Sequence, residues 1–192
     1  MADFIKAYKI LDIHEGGYSN DPDDAGRETY KGISRRFNPS WSGWIIIDSE
    51  KKSNPDKYEK LLYENEYLNS LVILFYKEHF WNKFLGDEIP FQEIANELFE
   101  CGVNLGISES VKFLQKALNI LNRNQKLYPD LVEDGVFGNI TLSTLKKYSE
   151  NDTQEILLKI MNVFQGMHYV EYMNRSPIQE KNARGWFERV KI

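Results

Sequence analysis

A mostly α-helical fold is predicted by three features of the sequence. Apolar residues recur at three- and four-residue spacing through most of the 192 positions, period-two runs are few, and glycine and proline gather in one stretch near the N-terminus. With 42% hydrophobic and 14% aromatic residues the chain can fill a packed core, and its length holds one domain or two small ones. No long linker or obvious repeat divides it.

Phe4, Tyr8 and Leu11 stand at i, i+4 and i+7, the apolar stripe of a first helix that Gly16-Gly17 stops. From Ser19 to about Lys57 come Pro22, Gly26, Gly32, Pro39, Gly43 and Pro55, which marks loop with short pieces; within it Trp44 to Asp48 (WIIID) reads as a strand or a buried turn. Tyr58 to Phe84 returns to helical spacing, with Leu61, Leu62, Leu68, Leu71, Val72, Phe75 and Tyr76 as core positions. Past the break at Gly86 to Pro90, Phe91 to Cys101 reads as a helix and Gly102 to Gly106 as a glycine-bounded turn. Ser108 is placed to cap a helix over Glu109 to Asn119, because its short side-chain acceptor precedes an apolar periodic run. Glu133 to Tyr148 reads as a turn and then a helix from near Asn139. Thr153 caps a long helix to about Arg175, and RGWFERV closes the chain.

A formal net charge of -5, with the basic residues scattered, excludes a generic nucleic-acid binder, since phosphate binding rests on clustered Lys and Arg. The single cysteine, Cys101, sits among apolar residues and reads as a small buried hydrophobe. No basic start followed by an apolar block marks a secretory signal, and no run of ~18 apolar residues could span a bilayer. The expectation is a protein made in the cytoplasm.

The chemistry concentrates in IHEGGYSNDPDDAGRETYKGIS, residues 13 to 34. Extending the first stripe brings Glu15 within about 20° of Tyr8 on an ideal helix, so its carboxyl points where core side chains point. Partial desolvation and the negative end of a helix both raise a carboxyl pKa, and a carboxyl protonated near neutral pH is what a general acid for glycosidic cleavage needs. A surface glutamate at a fraying helix end is the plainer alternative. Metal readings fit poorly: HEGGY has Tyr18 where H-E-x-x-H needs its second His, and an EF-hand loop from Asp21 would put Ala25 and Gly32 at its fifth and twelfth positions.

These residues resemble the E-G-G-Y signature of the glycoside hydrolase family 108 N-acetylmuramidases, also described as secretion-activator-type proteins. The usual form is close to E-G-G-Y-x-N-D-P-x-D-x-G-G-x-T-x-x-G-I. Glu15, Gly16, Gly17, Tyr18, Asn20, Asp21, Pro22, Asp24, Gly26, Thr29, Gly32 and Ile33 match, and Arg27 replaces the second glycine. Phe75 to Asn82 resembles the family's aromatic helix end, and LFECGVNLGISESVKFLQKAL its F-x-x-x-V-N-x-G segment. EDGVFGNITLSTL is similar to the D-G-x-x-G-x-x-T-L piece of its peptidoglycan-binding-type C-terminal half, and RGWFERV to its R-G-W-x-x-R-V ending.

The resemblance implies a lysozyme-related helical fold with a glycine-rich catalytic loop, which hydrolyses the β-1,4 bond after N-acetylmuramic acid in peptidoglycan. The family's catalytic glutamate falls on Glu15. A looser similarity to phage-type lysozymes suggests Asp24 as second carboxylate and Thr29 as the hydroxyl that positions water, with Asp21 and Asp23 as competitors. Tyr18, Tyr30, Trp41 and Trp44 offer ring faces on which a sugar could stack, though each alone reads more readily as core, and Tyr18 is favoured because it belongs to the motif. Asn104 reads either as a partner for an acetamido group or as a turn-former. Asp134-Gly135 and Gly138 read as architectural. Residues 1–92 form the expected catalytic segment and residues 93–192 a helical peptidoglycan-binding-type segment, packed as one unit. No cofactor or metal is expected. The implied partner is the glycan strand, with no nucleic acid, no integral membrane segment and a monomeric chain. The enzyme would act on the periplasmic wall by an export route that the sequence leaves open. A catalytically idle wall-binding or secretion-promoting protein is the competing reading, and lytic transglycosylation, which needs only the glutamate, a variant of the first.

Overall fold

The computed structural model describes residues 1–12, 17–21 and 26–191. The fold is mostly α with one small sheet, and it divides into two compact units, Tyr8–His79 and Met1–Ala7 with Phe80–Ile192. The first helix, α1 (Phe4–Asp12), supplies its opening residues to one unit and the rest to the other. Its predicted stripe is the buried one: Phe4, Tyr8 and Leu11 are all in the core.

In the unit Tyr8–His79 three short strands, β1 (Tyr18–Asn20), β2 (Glu28–Tyr30) and β3 (Ile33–Ser34), form an antiparallel sheet in sequential order. Three helices follow: α2 (Gly43–Ser53), α3 (Tyr58–Glu64) and α4 (Glu66–His79). The segment WIIID is neither strand nor turn but the start of α2, with Trp44 and Ile47 buried. Its helical stripe is short and interrupted by exposed Ile45, which is why a five-residue apolar run reads equally well as strand. The helical stretch expected over Tyr58 to Phe84 is broken at Asn65, whose side-chain carbonyl accepts the Leu68 amide at 2.8 Å and so caps α4. Leu62, Leu68, Val72, Phe75 and Tyr76 are buried as expected, while Leu61 and Leu71 are half-buried.

The other unit is built on α5 (Gln92–Leu105), α6 (Ile107–Leu121), α7 (Asn139–Ser149) and the 22-residue α8 (Gln154–Arg175), ending in the short α9 (Ala183–Phe187). A single residue, Gly106 at φ 93°, joins α5 to α6. The turn expected over Gly102 to Gly106 is therefore helix up to Leu105. Gly102 serves packing, since a Cβ there would lie 2.5 Å from the Phe84 ring. Ser108 likewise is not the cap of α6 but lies inside it, with Gly106 in the cap position. Thr153 does stand at the N-terminus of α8, but no side-chain bond from it caps the backbone.

The DGVFG segment is architectural, as expected. The Asp134 carboxylate accepts the Val136 amide and the Gln115 side-chain amide, each at 2.9 Å, while the Gly135 amide donates to Gln115 Oε1 at 3.0 Å. The C-terminal RGWFERV packs on α8 and α5: Trp186 stacks on Tyr169, Phe187 and Val190 cover Gly166, and Arg189 pairs with Glu100 at 3.0 Å.

Candidate active site

The β2–β3 turn sets the geometry of the hairpin. Lys31 at φ 44° and Gly32 at φ 75° form a two-residue connection with both φ values positive, the turn whose twist matches paired strands. Pairing of Tyr18 with Tyr30, Ser19 with Thr29 and Asn20 with Glu28 sorts the side chains by face. Tyr18, Asn20, Glu28 and Tyr30 share one side, and Ser19, Thr29 and Ser34 the other.

On the Thr29 side the chain closes tightly on Gly26. Ser34 Oγ donates to the Gly26 carbonyl at 2.8 Å, and a Cβ on Gly26 would sit 3.2 Å from Thr29 Cγ2. Among the described residues nothing hydrogen-bonds the Thr29 hydroxyl, which leaves it available to water or substrate.

The opposite side carries a charge network. Glu28 Oε1 accepts from the Tyr18 hydroxyl at 2.9 Å and from Lys51 Nζ at 3.0 Å; Lys51 also donates to the Tyr18 hydroxyl at 2.8 Å. Arg35 Nε lies 2.7 Å from Glu28 Oε2 as an ion pair without hydrogen-bond alignment, and its two terminal nitrogens fork onto Asp48 at 3.0 and 2.6 Å. The guanidinium also covers Trp44, 4.5 Å from the ring centroid. Trp44, Asp48 and Lys51 lie at i, i+4 and i+7, so one face of α2 meets the hairpin.

The pKa shifts follow from this packing. Burial, with help from Glu28 and against the Lys51 bond, raises the Tyr18 phenol. The Arg35 fork holds Asp48 below the usual carboxylate range, and the Tyr18 bond raises the Lys51 ammonium. Beside the network a cleft of about 540 Å³ is lined by Asn20, Arg27, Glu28, Arg35 and Arg36. The Arg35 guanidinium there is already held by Asp48 and Glu28, and the Glu28 carboxylate shares the wall, so the lining is mixed in charge with guanidinium groups in excess.

Glu15 and Asp24, and the competitor Asp23, lie outside the described residues; Asp21 is exposed. Thr29 and Tyr18 sit on adjacent strands but on opposite faces. Tyr30 is packed in the core beneath the hairpin: it is 1% exposed and its hydroxyl donates to the Leu62 carbonyl at 2.9 Å. Asn104 belongs to the other unit, on the last turn of α5. Sequence reasoning missed Glu28, Arg35, Asp48 and Lys51. For Asp48 and Lys51 the signal was the i, i+4, i+7 spacing from Trp44 in α2, legible only once that segment is read as helix, while Glu28 and Arg35 carry no comparable pattern.

The sequence profile of the family described as Glycosyl hydrolase 108 matches residues 8–106, just over half of the chain. The chain belongs to the glycosyl hydrolase 108 family. A second profile, described as a predicted peptidoglycan domain, matches residues 109–191. Among solved structures the chain is similar to SagA from Brucella abortus, with a TM-score of 0.60 and 22% identity over 97% of this chain and 88% of that one. No curated protein matches it. As a glycosyl hydrolase 108 protein it is a glycosidase whose partner is peptidoglycan, built on a lysozyme-like helical fold. Arg27, at the position where the resemblance predicts a glycine, lies at φ 54°. The backbone there adopts the conformation that glycine tolerates, with a side chain that costs it strain.

Proposed function

We propose that this glycosyl hydrolase 108 protein is an N-acetylmuramidase that cleaves the β-1,4 bond after N-acetylmuramic acid. Glu15 protonates the leaving sugar oxygen, water attacks the anomeric carbon, and Asp24 accepts the proton that the water gives up. Thr29 holds that water through its hydroxyl. Residues 1–92 carry the chemistry and residues 93–192 hold the wall. The observation that carries this reading is the family match over residues 8–106, which spans Glu15, Asp24 and the hairpin. The untied Thr29 hydroxyl and the guanidinium-lined cleft add support, because peptidoglycan stem peptides bear carboxylates.

The test is digestion of purified peptidoglycan by the wild type and by Glu15→Gln, with the released fragments separated and weighed. Reducing muramic acid ends from the wild type alone support the hydrolase. Anhydro ends would keep Glu15 as the acid, remove the need for Asp24 and make the enzyme a lytic transglycosylase. No products from either, with sacculus binding intact, would leave an idle wall-binding or secretion-promoting protein.

A further inference from the structure

The C-terminal unit holds a cavity of about 270 Å³. Its walls are Asn104 and Leu105 from α5, His168, Tyr169 and Tyr172 from α8, and Trp186 from α9. The Trp186 ring stacks on Tyr169 with centroids 5.2 Å apart and an interplanar angle of 21°, and Tyr172 lies 5.8 Å from it at 34°. Tyr169 is buried, Trp186 half-buried and Tyr172 exposed. One buried ring therefore backs two rings that still reach solvent, a rigid amphipathic platform of the sort that gives contact area at low entropic cost.

Asn104 supplies direction. Its Nδ2 donates to the Glu100 carbonyl at 2.8 Å and to Glu100 Oε1 at 3.0 Å. Both partners can only accept, which fixes the amide orientation and leaves Oδ1 as an acceptor with no donor among the described residues. Arg189 in turn holds Glu100, bonding Oε1 at 3.0 Å. The group that suits an unused carbonyl acceptor beside an aromatic platform is an amide N–H on a sugar ring. None of the lining residues is lysine or arginine, so the free carboxylates of a stem peptide would find no permanent counter-charge there.

We propose that this cavity is an accessory glycan subsite that takes one N-acetylated hexosamine residue of the peptidoglycan strand. Trp186 and Tyr172 lie against the sugar face, and Asn104 Oδ1 accepts the acetamido N–H. The ligand class rests on the peptidoglycan reading above, but the subsite requires no chemistry from Glu15.

The experiment is an NMR titration of full-length Glu15→Gln protein, following the Trp186 indole N–H, identified by its loss in Trp186→Phe. The probes are an N-acetylglucosamine trimer and, separately, a free stem pentapeptide. The trimer is expected to shift the indole signal and the peptide not to. Tyr172→Ala and Asn104→Leu, each added to Glu15→Gln and shown by circular dichroism to be folded, should weaken that binding about tenfold, in line with stacking and hydrogen-bond losses of roughly 1–2 kcal/mol. A shift by the peptide instead, no shift by either probe, or unchanged affinity in both variants would overturn the subsite. The readout is separable from catalysis: a shifted indole with no hydrolysis by the wild type would defeat the muramidase reading alone, and hydrolysis with an unmoved indole would defeat the subsite alone.

Discussion

Glu28 Oε1 accepts Lys51 Nζ at 3.0 Å and thereby pins the hairpin to α2.

 The two residues stand 23 positions apart, so the contact joins strand to helix, with Arg35 closing on the other carboxylate oxygen. Removing the carboxylate leaves two cations and the Tyr18 hydroxyl facing one another with nothing between them. Glu28→Ala is therefore expected to cost about 1–3 kcal/mol, the range for stranding hydrogen-bonded charged groups, and Glu28→Gln less. Urea unfolding of both variants checks this. Equal midpoints for wild type and Glu28→Ala would mean that the network does not hold the hairpin.

Arg27 sits at φ 54° on the rim of the cationic cleft. Left-handed backbone costs a side-chain-bearing residue roughly 1–2 kcal/mol, and glycine returns part of that gain through a freer unfolded chain. Arg27→Gly should thus raise stability by up to about 1 kcal/mol. The same change removes a cation from the cleft, so digestion of peptide-bearing peptidoglycan should slow relative to peptide-stripped glycan. A variant that is more stable and equally active on both substrates would show that Arg27 contributes strain without contacting substrate.

Gly135 combines a positive φ with a close approach to backbone. It lies at φ 73°, and a Cβ would come 2.2 Å from Ser108 Oγ and 2.7 Å from the Ser108 carbonyl oxygen. The hydroxyl could rotate away, but the carbonyl belongs to α6. Gly135→Ala is expected to lose about 3 kcal/mol or more from overpacking and backbone strain together. Ser108→Ala added to it should recover little. Full recovery by that second change would place the clash on the side chain alone.

The helices were legible because their stripes are long: Phe4, Tyr8 and Leu11 are buried as their spacing predicts, and α8 follows Thr153 and runs to Arg175 as expected, though without a side-chain cap. Short apolar runs were not. Trp44 to Asp48 offers too few residues to separate period two from period 3.6, and so the face of α2 that carries Asp48 and Lys51 stayed hidden. Glycine misled in a different way. Gly102 and Gly106 look alike in sequence, but the first makes room for Phe84 inside a helix and only the second turns the chain. Tyr30 shows the same limit for aromatics: its ring fills the core under the hairpin, and an aromatic residue beside the motif does not reveal in sequence whether it packs or meets substrate.

Glu97 provides a pH test of the C-terminal unit. It is 7% exposed on α5, and burial above all, reinforced by the nearby Glu100 charge and opposed by Asn162 and Lys191, pushes its carboxyl up to about 8 from an ordinary 4.5. Between those two values the folded chain holds a proton that the unfolded chain has released, so stability falls as pH rises through the window and levels off above it. At about 1.4 kcal/mol per unit, the loss by pH 8 is roughly 3–5 kcal/mol before relaxation and water entry reduce it. Glu97→Gln keeps the shape and cannot ionise. It should match the wild type near pH 4, exceed it increasingly from about pH 5 to pH 8, and hold a constant margin beyond. Urea midpoints at pH 4, 6 and 8 measure this directly, and a margin independent of pH would mean that Glu97 is already ionised in the folded protein across the whole range.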